Sequence, residues 1–242
     1  MRLKNIHLLL LFTLLAAVRA PVAIAQAATF TAQVQIHDQL PAKSRQHVSS
    51  AGIVLWLTPL QPSTVVPGAN RGPFRLVQKN KQFSPHILVV PVGTSVEFPN
   101  LDPFFHNVFS LFNGKRFDLG LYEAGTSRSV RFDREGVSYL FCNIHPGMGA
   151  IVLALATPYY ATSSATGSIT IPDIPPGNYQ VSVWGEHTKT PPTGAILRTI
   201  HMTNSDFQAG LMTLEATPGL MVNHKNKFGQ DYAPESASSY KP

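Results

Sequence analysis

Three side chains that bind soft or borderline metals lie within seven positions: Cys142, His145 and Met148, at Cys-x2-His-x2-Met spacing. Cys142 is the only cysteine in the 242-residue chain. A thiolate, an imidazole and a thioether select copper over magnesium or calcium, and one more imidazole gives a trigonal His2Cys site with a weak axial Met. His106 can supply that imidazole. Taken singly, each residue has a plainer reading: a lone Cys is usually a small buried hydrophobe and a lone Met core filler. The combination carries the weight.

The run Tyr139 to Leu153, Tyr-Leu-Phe-Cys-Asn-Ile-His-Pro-Gly-Met-Gly-Ala-Ile-Val-Leu, resembles the ligand loop of the cupredoxins, small blue-copper proteins. Its short spacing is most similar to that of amicyanin and pseudoazurin. Upstream, Phe83-Ser-Pro85, Leu88-Val-Val90, Gly93-Thr94, Val96-Glu-Phe98, Asn100, Asp102 and His106-Asn107-Val108 resemble the family's Phe-x-Pro, Val-x-x-Gly and Asn-x-Asp-x-x-x-His-Asn-Val signature. The resemblance implies an all-β Greek-key sandwich holding one type 1 copper per chain. Its ligands would be His106, Cys142, His145 and Met148.

These residues need a frame. Val137 to Cys142 is mostly apolar on both faces, which predicts a buried strand ending at the thiol. Pro146 and Gly147 then shape a tight loop that returns His145 and Met148 toward the same point, and Ala150 to Leu155 leaves as the next strand. His106 must come from another part of the sheet. Asn107, directly after it, is expected to bond across to the Cys loop.

The start of the chain is not part of this frame. Arg2 and Lys4 precede an apolar run from Leu8 to Val18, and Ala23-Ile-Ala25 forms a small-residue cleavage site, so residues 1–25 read as a secretory signal peptide. Arg19 leaves the run too short to span a membrane. The expected location is periplasmic or otherwise exported. Without Arg2, Lys4 and Arg19, the 19 basic residues fall to 16 against 13 acidic ones, a net charge of about +3. Basic and acidic residues are interspersed, which argues against a nucleic-acid surface. One cysteine excludes an internal disulfide, and an exposed free thiol is a liability in an oxidising compartment. Metal ligation accounts for it better.

Thr29 to His37 alternates apolar and polar residues as a half-buried strand does, and Ala51 to Leu57 reads as a second strand. Closely spaced Pro and Gly from Pro59 to Pro73 mark a boundary. Beyond the candidate copper region, Gly167 to Trp184 reads as two strands joined through Pro175-Pro176-Gly177. It resembles the carboxypeptidase regulatory-like, transthyretin-type sandwich. Residues 28–67 and 160–216 are therefore expected to form that sandwich. The cupredoxin-like residues 73–157 are inserted in it or fused to it, and residues 217–242 form an extended tail. The whole arrangement resembles bacterial exported proteins labelled methylamine-utilisation proteins. His37, His47, His86, His187, His201 and His224 have no clustered partners and are expected not to be ligands.

Four protein ligands leave no open position for a substrate, so the site implies one-electron carriage to and from a protein redox partner rather than enzymatic turnover. The chain lacks the His-x-His pairs and His-Cys-His element of a multicopper oxidase, the second cysteine of a binuclear centre, and any G-x-S-x-G or H-E-x-x-H. The alternatives are a copper store or delivery protein, and a structural or assembly module with a vestigial site.

Overall fold

The computed structural model describes residues 27–37, 49–61, 72–111, 114–217 and 224–232. Residues 1–25, read from the sequence as a leader, lie outside them. Every regular element among the described residues is a β-strand, seventeen in all, as an all-β reading of the sequence expects.

The strands form five sheets, four of which stack with an apolar core in each gap. In the first sheet β1 (Ala28–His37) runs antiparallel to β14 (Ser168–Ile174) on one side and parallel to β17 (Phe207–Glu215) on the other. Its alternation is visible in the burial: Ala28, Phe30, Ala32 and Val34 point inward while the residues between them are partly exposed. The second sheet has the order β13 (Tyr160–Thr162), β2 (Val54–Pro59), β15 (Gly177–Trp184), β16 (Ala195–Met202). Phe30, Val34, Ile169 and Leu214 of the first sheet meet Leu55, Leu57, Val181 and Val183 of the second in one core. β14 and β15, joined through Pro175 and Pro176, are not paired with each other. They lie in different sheets, and Tyr179 closes the corner by donating its hydroxyl to the Pro175 carbonyl at 2.9 Å.

The third sheet has the order β6 (Ile87–Pro91), β12 (Gly149–Leu155), β11 (Gly136–Phe141), β8 (His106–Ser110), β9 (Phe117–Tyr122). One face packs on the fourth sheet, β10 (Ser127–Phe132), β7 (Thr94–Pro99) and β3 (Phe74–Arg75), flanked by the hairpin β4 (Val77–Lys79) and β5 (Gln82–Ser84). That core contains Val108, Leu140, Cys142, Met148 and Val152 against Val96, Phe98, Val130 and Phe132. The other face packs back on the second sheet: Phe109, Val137, Tyr139, Phe141, Ile151 and Leu153 meet Val54, Trp56 and Trp184. This explains why β11 and β12 are apolar at nearly every position. A strand covered on both faces has no side left for polar residues. The same holds for Val54 to Leu57 in β2 and for Ile53 just before it, whose odd and even positions enter different cores.

Candidate metal centre

Cys142 follows the last residue of β11, and the hairpin to β12 is the loop 142–148. Two backbone hydrogen bonds fold it tightly: the Cys142 N–H donates to the Met148 carbonyl at 3.0 Å, and the Met148 N–H to the His145 carbonyl at 3.1 Å. The second closes a four-residue turn with Pro146 at its first corner, where the ring presets φ. His106 opens β8, which pairs with β11 through Phe109 and Phe141. A bulge between Asn107 and Phe109 breaks the β8–β9 register beside His106.

This brings three of the four nominated side chains to one point. Cys142 Sγ lies 3.5 Å from His145 Nδ1 and 3.8 Å from His106 Nδ1. The three ligating atoms are within 4.8 Å of one another and all three residues are buried. Among the described residues no other trio of His, Cys, Asp and Glu converges this closely. Met148, the fourth, is fully buried in the same core as Cys142.

The surroundings select the form of each group. Burial pushes the Cys142 thiol up, while the backbone N–H groups of Asn107, Ile144 and His145 work the other way, favouring the thiolate. His106 Nε2 lies 2.7 Å from Asp102 Oδ2, with both side chains out of solvent. Burial alone would raise Asp102. The Lys81 N–H, the His106 ring and the Asn80 N–H outweigh it and hold the carboxyl below its usual range. An ionised carboxylate only accepts, so Nε2 carries the His106 proton and Nδ1 keeps its lone pair for the pocket. Burial in turn lowers His106, which favours the neutral ring a metal binds. Phe104 packs against both imidazoles, with centroids 5.2 Å from His106 and 5.7 Å from His145.

Asn107 departs from the sequence expectation. Its backbone N–H reaches the Cys142 sulfur, but its side chain turns away to donate to Asp118 Oδ1 at 2.7 Å on β9. Of the tail read from residue 217 onward, residues 224–232 are described and contain no helix or strand. Residues 224–232 pack on the ligand loop, because His224 and Tyr232 offer ring surface to Phe141 and a donor to a loop carbonyl. Sequence reasoning assigned no role to Asp102 or to this segment. A carboxylate four residues before a ligating His was a usable signal for the first, whereas 90 residues separate Tyr232 from the carbonyl it binds.

The remaining histidines lie apart. His86 pairs with Glu186, His201 with Asn178, and His224 stacks on Phe141. His37 and His187 belong to no ligating trio, and His47 lies outside the described residues. One sulfur and two nitrogens, buried with a thioether nearby, fit copper and give no oxygen shell for magnesium or calcium.

No protein-family model and no curated protein matches the chain. Parts of it are similar to solved cupredoxin structures. A purple cupredoxin from Nitrosopumilus maritimus is 28% identical over 34% of this chain and 100% of that one, with a TM-score of 0.32. A copper-containing nitrite reductase from Thermus scotoductus is 27% identical over 40% of this chain and only 27% of that one, with a TM-score of 0.34. A single-site mutant of amicyanin in its reduced state is 20% identical over 41% of this chain and 99% of that one, with a TM-score of 0.33.

Proposed function

We propose that this chain is an exported type 1 copper protein that carries single electrons between protein partners. The observation that carries the reading is the convergence of Cys142 Sγ, His106 Nδ1 and His145 Nδ1 in a buried pocket, with Met148 in the same core. His106, Cys142 and His145 would hold the metal, with Met148 as a weaker fourth donor. Bound there, copper would supply one-electron redox chemistry through the Cu(I)/Cu(II) couple.

The protein's part is to hold the donors still. The two backbone bonds within the loop, the Asp102–His106 bond and the Phe104 wedge fix ligand positions before any metal arrives, so little rearrangement accompanies a change of charge. Burial of all four residues leaves no coordination site open to a substrate, which supports a carrier over an enzyme. Ile144 and Pro146 on either side of His145 are exposed, as is Phe105 beside the Phe104 that packs on His145, and we read them as a small apolar rim. A small apolar rim suits brief encounters that bury little area.

Residues 28–59 and 160–215 supply the first two sheets. We read them as a carboxypeptidase regulatory-like sandwich around which the copper-binding unit, residues 73–157, is built. Export rests on the leader sequence. The test is redox titration of copper-loaded protein: a reversible one-electron couple with copper retained in both states supports the carrier. Release of copper on reduction would favour a store or delivery protein. Full biological activity of a Cys142→Ser variant would favour a structural module.

A further inference from the structure

We propose that residues 224–232 are a strap that positions the metal-ligand loop, with Tyr232 and Lys227 as its positioning residues. Three consecutive residues of β11 and its loop are gripped from outside. The His224 ring stacks on Phe141 at 4.0 Å with 27° between planes. Tyr232 donates its hydroxyl to the Cys142 carbonyl at 2.8 Å, and the Lys227 N–H donates to Asn143 Oδ1 at 3.0 Å. With the Cys142 N–H already bound to the Met148 carbonyl, both polar backbone groups of the thiol residue are fixed.

The strap also reaches the strand that carries His106. Lys227 Nζ lies 2.7 Å from Asp118 Oδ2, and Asp118 Oδ1 accepts from the Asn107 side chain, whose own backbone N–H faces the Cys142 sulfur. One segment thus ties together β8, β9 and the 142–148 loop. It is not a chain merely passing by, because it holds its own shape. The Asn226 side chain accepts from the Phe228 and Gln230 N–H groups at 2.9 and 3.0 Å, and the Asn226 N–H donates to the Gln230 carbonyl. A tyrosine hydroxyl placed among rings costs free energy unless it finds a partner, and Tyr232 finds two, the Cys142 carbonyl and His224 Nδ1 at 3.2 Å.

The strap resists opening of the loop, and its effect on bound copper rests on the copper reading. The closing experiment separates the two. In metal-free full-length protein, Cys142 is buried, so its labelling by an aromatic disulfide reagent reports opening of the loop. Tyr232→Phe removes the hydroxyl and both of its hydrogen bonds, and should speed labelling roughly five- to tenfold in the absence of urea, with the urea midpoint falling by no more than the same free energy. Lys227→Met, which keeps the backbone N–H, should speed it less. Asp231→Asn, at a side chain that is 91% exposed, should leave it unchanged. In copper-loaded protein, Tyr232→Phe should speed copper loss to a chelator and shift the thiolate-to-copper absorption band. Wild-type labelling rates in both strap variants, or labelling whose rate rises with urea as steeply as global unfolding does and so needs no local opening of the loop, would overturn the proposal. If the wild type took up no copper, the labelling difference would still decide the strap, and only the copper reading would fall.

Discussion

At the scale of the residue, the centre depends on a choice between two ring nitrogens, and Asp102 makes that choice for His106. Converting Asp102 to Asn keeps the shape but removes the charge that holds the proton on Nε2. Asp102→Asn should weaken copper binding by about 10- to 100-fold, measured by chelator competition, at near-normal thermal stability. Unchanged affinity would mean that the backbone alone sets the ring. At Met148, Leu should retain copper and raise the reduction potential, because an apolar replacement disfavours Cu(II), and Gln should lower it. Redox titration of the two variants checks the order. The convergence of His106, Cys142 and His145 was legible in the sequence because donor type and local spacing are properties of the chain itself. The role of Asp102 could have been read from its place in the same segment. Tyr232 and Lys227 could not, because their bonds to the loop depend on how distant parts of the chain meet.

At the scale of the element, β11 and β12 were legible as buried strands because burial on both faces demands apolar residues throughout. β9 and β10 were not, since both lie at sheet edges: Ser127–Phe132 is polar at most positions, and Asp118 and Gly120 interrupt Phe117–Tyr122. The junction between β6 and the end of β15 supports a pH prediction. His86 Nε2 meets Glu186 Oε2 at 2.7 Å, and that bond raises His86 above its ordinary value of 6.5, against the opposing effect of burial. His187 and Tyr139 also face this carboxylate. Because the folded pKa is the higher one, the contribution of the pair is complete below about pH 6.5 and fades as pH rises through the raised value. His86→Gln should therefore destabilise the protein more at pH 6 than at pH 9 in urea titrations. The His86 side chain is half exposed, so the difference should stay under about 1 kcal/mol. Equal loss at both pH values would show that the ring acts only through packing.

At the scale of the whole molecule, four stacked sheets share three cores, and the middle core joins the third sheet, whose other face carries the metal centre, to the second. This stacking was not legible, because nothing in Val54 to Pro59 tells which surface its outward residues meet. Trp184 is the largest side chain fully buried in that middle core. Trp184→Ala should cost about 3–5 kcal/mol and lower the stability of both halves together, seen as one cooperative transition at a lower denaturant midpoint. Two separated transitions in the wild type would mean that the middle core does not couple them. The same core bears on excision. Replacing residues 74–157 by a short linker would bare Val54, Trp56 and Trp184, so the remaining sheets should bind a hydrophobic dye and self-associate.

Ligation of copper by Cys142 in a His2Cys site is tested by visible absorption on adding Cu(II) to the folded full chain. One equivalent should bind and give an intense blue colour from charge transfer out of the Cys142 thiolate, and Cys142→Ser should bind without that colour. A colourless wild-type complex, or a colour that survives Cys142→Ser, would contradict the account.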